Sequence, residues 1–216
     1  MFVWHYSILL PNINSVKKIN NTLRIIGGRY RGKKITFPLA EGLRPTSDRI
    51  RETLFNWLMH DIRDARCLDV FAGSGALGFE AYSRGAASVV FLEKDATVFR
   101  HLQQSAATFQ PAPFNIIQTT ASDYLPTQTA NQFDIVFVDP PFAHLDLFAC
   151  IHQFETSDLL VQNGLLYVES PHEIPLNPQF WRQLKLKQAG QVTYGLYQKM
   201  SHALTVSLNP SQHFEN

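Results

Sequence analysis

From position 66 onward the apolar and polar residues follow two alternating rhythms. Short apolar runs at 67–71, 88–92, 114–118, 135–138 and 165–169 read as buried strands. Between them, stretches with apolar residues at every third or fourth place read as helices over 77–84, 96–109 and 145–154, the first stopped by Gly85. Strand–helix alternation of this kind predicts a parallel sheet covered by helices. The run 135–138 is apolar throughout, as expected of a strand buried on both faces. Beyond a break at Pro171, Pro175 and Pro178, the segments 184–188 and 192–199 read as two closing strands, near enough to pair antiparallel.

Upstream the pattern changes. Residues 24–38 hold two short β-prone pieces around Gly27-Gly28, with Gly32 further on, which predicts a glycine-rich hairpin arm. Pro45-Thr46-Ser47 announces a helix whose packing face is Ile50, Leu54, Phe55 and Leu58. Its polar face carries Arg49, Arg51, Glu52 and Asn56. The expected organisation is an N-terminal extension over 1–22, a basic hairpin arm and helix over 23–60, one α/β domain over 61–200, and a tail over 201–216. A length of 216 residues with 45% hydrophobic content suits one such domain with an appendage.

Charge sharpens this picture through its distribution, since the net value is only +1. Lys17, Lys18, Arg24, Arg29, Arg31, Lys33, Lys34, Arg44, Arg49 and Arg51 face only Glu41 and Asp48 in the same stretch. A nearly neutral protein with one basic arm outlines a phosphate-backbone binder; a solvated charged face is the alternative. No second basic segment stands out. Cys67 and Cys150 lie in apolar surroundings and read as small core residues of a reducing compartment. The histidines show no ligand spacing, so no metal is expected. Residues 1–11 are apolar but lack a basic leader and are too short to span a bilayer, so the protein is expected in the cytoplasm.

Two motifs carry chemistry. Leu68-Asp69-Val70-Phe71-Ala72-Gly73-Ser74-Gly75-Ala76-Leu77-Gly78 and Asp139-Pro140-Pro141-Phe142 each follow an expected strand, which places both at the carboxyl edge of the sheet, where α/β folds bind ligands. The glycine loop is not a serine-hydrolase elbow, because positions 72 and 76 are alanine, and no Lys-Ser/Thr follows to make a Walker loop. Gly73, Gly75 and Gly78, with Glu93 ending the next strand, also fit a dinucleotide fingerprint. Asp69 separates the two readings: a carboxylate just ahead of the glycines suits the ammonium of a methionine moiety and repels a pyrophosphate. In the second motif, a carboxylate and a proline-stiffened backbone carbonyl can accept the two N–H bonds of an exocyclic amine, while Phe142 stacks on the base. Together the motifs imply methyl transfer to the exocyclic nitrogen of a base. No cysteine lies where it could attack, so transfer is expected to be direct and in line.

Leu43-Arg44-Pro45-Thr46-Ser47-Asp48-Arg49-Ile50-Arg51-Glu52-Thr53-Leu54-Phe55-Asn56, joined to these two motifs, resembles the RsmD family of bacterial rRNA guanine-N2 methyltransferases, which modify one guanine of 16S rRNA. The similarity runs over 24–199. The resemblance implies a Rossmann-like methyltransferase fold, a mostly parallel seven-stranded sheet with a small N-terminal β-hairpin, with S-adenosylmethionine as cofactor and no metal. It implies Asp69, Phe71, Gly73 and Gly75 around the methionine part, Glu93 on the ribose, and Asp139, Pro140 and Phe142 at the target amine. Where the family has an Asp or Asn beside an Ala, this chain has Thr120-Ala121, with Asp123 three places on; the Thr120 hydroxyl or the Ala121 backbone is then the adenine contact. Arg29, Arg31, Lys33, Lys34, Arg44, Arg49 and Arg51 are the expected RNA contacts. The partner implied is 16S rRNA, free or within a small-subunit assembly intermediate. An adenine-N6 methyltransferase of DNA or RNA, and a non-catalytic RNA-binding assembly factor, are the rival readings.

Overall fold

The computed structural model describes residues 20–38, 46–111, 113–129, 132–141 and 146–201. Arg44, Phe142, residues 1–19 and residues 202–216 lie outside the described residues. The elements are β1 (Asn20–Arg24), β2 (Lys34–Pro38), α1 (Asp48–Trp57), β3 (Arg66–Asp69), α2 (Ala76–Ser83), β4 (Ser88–Glu93), α3 (Ala96–Ala106) and β5 (Phe114–Gln118). They continue with α4 (Ala121–Tyr124), a short 3-10 turn, β6 (Phe133–Val138), α5 (Asp146–Thr156), β7 (Leu160–Ser170), β8 (Trp181–Ala189) and β9 (Val192–Lys199). Among the described residues no helix is long and apolar enough to cross a membrane.

Seven strands form one sheet in the order β5-β4-β3-β6-β7-β9-β8. The first five are parallel; β9 runs antiparallel between β7 and β8, so the closing pair forms as its pattern predicts. The chain builds outward from β3 through β4 to β5, then returns to place β6 and β7 on the other side. The β3–β6 boundary is therefore a topological switch point, the usual place for a ligand crevice. Successive strand residues serve opposite faces: Cys67 joins the core shared with α1, α2 and α3, and Leu68 the core shared with α5.

Several boundaries move from those the pattern predicts. β3 ends at Asp69 rather than at 71, because the backbone turns into the glycine loop there. The helix expected over 96–109 stops at Ala106, and Phe109 turns inward to stack on Phe79. β7 begins at Leu160, ahead of a register irregularity, and β8 begins at Trp181.

The hairpin of β1 and β2 is not a free arm. Leu23, Ile25, Ile35 and Phe37 are buried in the same apolar cluster as Leu54, Phe55 and Phe79. Its turn is clamped to the end of α2: the amides of Ile26 and Gly27 donate to the two Glu80 carboxylate oxygens, each at 2.8 Å, and the Arg29 amide donates to the Ser83 carbonyl at 2.7 Å. Gly28, at φ +74°, allows this approach, since a Cβ there would lie 1.9 Å from the Ser83 carbonyl oxygen.

The same cluster corrects the reading of Arg51. Its side chain is fully buried, donating to the Arg24 carbonyl at 3.0 Å and pairing with Asp48 at 2.5 Å and Glu80 at 3.5 Å. It cannot meet RNA. Glu80 is also gripped by Arg84 at 2.8 Å, so this buried acid has cationic and amide partners on every side.

Candidate functional site

Four carboxylates stand at the carboxyl ends of four consecutive strands of the sheet. Glu93 ends β4, Asp69 ends β3, Asp139 directly follows β6, and Glu169 is the penultimate residue of β7. Asp69 and Asp139 flank the switch point. Asp69 and Glu169 are buried, Glu93 and Asp139 half-buried.

The first two acids hold the glycine loop. Asp69 Oδ2 accepts from the Gly78 amide at 3.0 Å, which satisfies one of the donors left open at the start of α2. Glu93 Oε2 accepts from the Gly73 amide at 2.9 Å, and its Oε1 from the Asp95 amide at 2.7 Å. Gly75 begins α2 in the left-handed region, φ 76°, with no side-chain cap. The loop is thus shaped by its own strand-end acids, which fix Gly73 and Gly75 where the motif places them. Phe71 is half-exposed at its rim.

The third acid is held from a distance in sequence. Thr46, buried just ahead of α1, donates its hydroxyl to Asp139 Oδ2 at 2.9 Å. Pro140 is buried behind Asp139, and Pro141 is exposed. Glu169 accepts from the Tyr167 hydroxyl at 2.8 Å. Neither Thr46 nor Glu169 was among the site residues expected from sequence. The signal available was weak: a threonine before a helix, and an acid closing an apolar run.

Burial pushes all four carboxyls above their ordinary range. Asp69 rises to about 7 through burial, with the charges of Asp139 and Glu93 adding to it against the Gly78 amide. Asp139 rises to about 6 through burial, and Glu169 to about 8 through burial and the neighbouring Asp139 charge. Glu93 is raised by burial against the pull of its amide partners. Such an edge attracts a cation and rejects a pyrophosphate. The donor set therefore fits S-adenosylmethionine, with its sulfonium and ammonium charges, better than a dinucleotide.

Thr120 lies at the end of the same sheet edge, capping α4. Its Oγ1 accepts from the Asp123 amide at 3.2 Å and donates to the Asp123 carboxylate at 2.6 Å. The displaced Asp123 thus folds back onto Thr120, and Ala121 is buried beneath them.

The expected RNA contacts separate into three groups. Arg49 is exposed on the first turn of α1, three residues from Thr46. Arg29, Arg31 and Lys34 are exposed, but at a hairpin turn docked on the far end of α2. With eight residues in α2, that turn lies roughly 12 Å from the glycine loop. Lys33 is half-buried there and is already engaged: its ammonium donates to the Thr108 carbonyl at 2.8 Å and sits 4.7 Å from the Phe109 ring centre. A second basic face, not expected from sequence, lies on the edge strand β8, where Arg182, Lys185 and Lys187 are all exposed. Lys187 pairs in register with Tyr194, which pairs with Glu169, so this face reaches the level of the acid row.

Comparison with known proteins agrees with this geometry. A family model described as "Conserved hypothetical protein 95" matches residues 23–198. The chain is 45% identical over 190 residues to "Ribosomal RNA small subunit methyltransferase D" of Escherichia coli (strain K12), covering 85% of this chain and 96% of that protein. It is 47% identical over 182 residues to the protein of the same name from Haemophilus influenzae, covering 82% of this chain and 93% of that protein. The chain belongs to the RsmD family. The RsmD-family match begins inside β1, so the hairpin is part of the family's unit and not an addition to it. Among solved structures, "Putative methyltransferase yhhF from Escherichia coli" superposes with a TM-score of 0.76 at 45% identity, covering 84% of this chain and 99% of that one. "SMU.776, a putative methyltransferase complexed with SAH" shares the fold at 16% identity and a TM-score of 0.61, covering 85% of this chain and 57% of that one.

Proposed function

We propose that this RsmD-family chain is an S-adenosylmethionine-dependent ribosomal RNA methyltransferase, and that it methylates the exocyclic N2 of a guanine in 16S rRNA. The observation that carries the reading is the row of four carboxylates along one sheet edge, with Asp139 joined to two prolines at the switch point. The names of its relatives, at 45% and 47% identity, support small-subunit rRNA as the substrate.

Asp69 and Glu93 shape the loop that receives the methionine and ribose parts. Bound there, S-adenosylmethionine would supply a methyl group on a sulfonium sulfur, with the neutral thioether as leaving group. Asp139 orients the amine through one N–H and takes the proton that the alkylated nitrogen sheds. The carbonyl of Pro140, which is rigid between two ring constraints, is placed to accept the other N–H. Asp139, oriented by Thr46, is suited to this because burial brings its carboxyl closer to neutrality than an exposed aspartate. Arg49 beside the site and the β8 face are the surfaces from which surrounding phosphates would be held. The protein is expected to act in the cytoplasm.

The test is nucleoside analysis. Small-subunit rRNA incubated with the full chain and S-adenosylmethionine carrying a labelled methyl is digested and its nucleosides separated. Label in N2-methylguanosine is the expected result. Label in N6-methyladenosine would transfer the reading to an adenine enzyme, and no label in any nucleoside would favour a non-catalytic assembly factor.

A further inference from the structure

We propose that the outer side of α1 and the adjoining face of β8 form one track for the backbone of the rRNA strand that carries the target base, with Arg49, Lys187 and Lys185 taking successive phosphates along it. Which nucleotide lies at the start of the track rests on the reading of Asp139 as amine acceptor; RNA binding along the face does not.

The sheet puts these cations on one side. Directly opposite residues of an antiparallel pair share a face. Lys187 is opposite Tyr194 and Lys185 opposite Leu196, and both partners belong to the apolar cluster that packs beneath α1. The two lysines therefore emerge beside α1 rather than beside α5. Contact agrees with this: the Lys187 ammonium lies 5.8 Å from the centre of the Trp57 ring, and that ring stacks on Tyr194 at 5.4 Å. Trp57 ends α1, and Arg49 stands exposed on its first turn, about 12 Å back along the helix axis. α1 thus joins the two groups of cations.

The track starts at the acid row. Arg49 is three residues from Thr46, whose hydroxyl holds Asp139. From the other end, the ladder leads back to Asp139: Lys187 lies opposite Tyr194, Tyr194 opposite Glu169, and Glu169 follows Val168, the partner of Val138. Three strand spacings separate Lys187 from Asp139, about 14 Å. A stacked strand covers that distance in about four nucleotides. A base drawn into the site at Asp139 therefore brings its neighbouring phosphates over α1.

Lysines also guard free sheet edges against pairing with other chains. That use does not explain these, because β5, the other edge of the sheet, carries no charged residue. Among the described residues no carboxylate pairs with Arg49, Lys185 or Lys187. Of the two acids on α1, Asp48 pairs with buried Arg51, and Glu52 stands exposed beside Arg49. Lys187 already rests on Trp57, so its charge is placed before RNA arrives.

The test uses the full chain and small-subunit rRNA. Cys67 and Cys150 are the only cysteines of the chain and both are buried, so the thiol introduced by Lys185→Cys is the one a reagent reaches. An iron chelate coupled there releases hydroxyl radicals that cut nearby RNA. The cuts should fall on the strand that carries the methyl-accepting nucleotide, within about six nucleotides of it. Cuts elsewhere, or none with rRNA bound, overturn the track. Affinity gives a second readout. Arg49→Ala, Lys185→Ala and Lys187→Ala together should lower the slope of log affinity against log salt by about 2–3. Lys185→Arg with Lys187→Arg should keep it, and Glu52→Gln should tighten binding about twofold by removing an acid that repels the phosphates. Arg182→Ala, at the far end of β8 where Gln198 holds the guanidinium, should lower the slope less than Lys187→Ala does. An unchanged slope in the triple variant, weaker binding by Glu52→Gln, or a larger loss at Arg182 contradicts the proposal. Cuts around an accepting adenine would uphold the track and refute the guanine reading. If no nucleotide accepts a methyl group, the amine reading falls and the salt slope alone decides the track.

Discussion

Glu80 and Glu169 are both buried acids, yet the chain answers them in opposite ways. Around Glu80 it supplies two arginines and two backbone amides, which tie together the hairpin, α1 and α2. Around Glu169 it supplies further acids and a hydroxyl. A buried charge that is paired from within the chain has much of its desolvation cost offset by its partners, whereas a row of acids without cationic partners destabilises the folded protein unless something else neutralises it. The first region is therefore complete as architecture. The second is complete only with a cation and an amine, and this marks it as the functional end of the sheet.

Substitution at the functional end should show the largest effect and leave the architecture alone. Asp139→Ala is expected to lower kcat by about a thousandfold, within the range for losing a positioned acid–base group. S-adenosylmethionine affinity should change no more than a few-fold by calorimetry, since Asp69 and Glu93 still shape the loop. Near wild-type single-turnover rates would make Asp139 structural and erase the contrast with Glu80.

The reverse is expected at Glu80. Glu80→Ala leaves buried Arg51 with only the exposed Asp48 carboxylate and strips Arg84 and the Ile26 and Gly27 amides of their acceptor, and urea unfolding should show a loss of about 3–5 kcal/mol. At a temperature where the variant remains folded, its cofactor affinity should match the wild type. A stable variant that binds the cofactor poorly would mean that the two regions are not separable.

Much of the acid row was legible in the sequence, because its parts are local. Asp69 precedes its glycines, Glu93 closes the following strand, and Asp139 is fused to its prolines. Thr46 and Glu169 were not, because their meaning depends on which strands become neighbours: the Thr46 hydroxyl bonds a residue 93 positions away. Arg51 was misread for a related reason. On a helix with a polar face it looks solvated, and only the placement of Arg24, Asp48 and Glu80 around it makes it a core residue. The basic residues of the hairpin were counted correctly, but the docking of their turn on the far end of α2 could not be read from their spacing. The basic edge of β8 escaped notice because its three cations alternate with glutamine and leucine.

Those two basic faces give a smaller and finer contrast. Lys185→Ala with Lys187→Ala should reduce the slope of log affinity for rRNA against log salt by about 1–2, as fewer counterions are released. Arg29→Ala with Arg31→Ala, at the remote turn, should change it by less. The opposite ranking would return RNA binding to the hairpin and leave β8 a solvated edge.

The claim that the acid row awaits a cation is tested most directly by counting protons as the cofactor binds. Binding of S-adenosylmethionine to the full chain at pH 7 is followed by calorimetry in buffers of different ionisation enthalpy, with S-adenosylhomocysteine, which lacks the sulfonium charge, as the control. With Asp69 raised to about 7 and Glu169 to about 8, part of the row is protonated at this pH and should lose protons when a cation arrives. S-adenosylmethionine should therefore release more protons than S-adenosylhomocysteine. Equal release by the two, or net uptake with the sulfonium compound, would contradict the account.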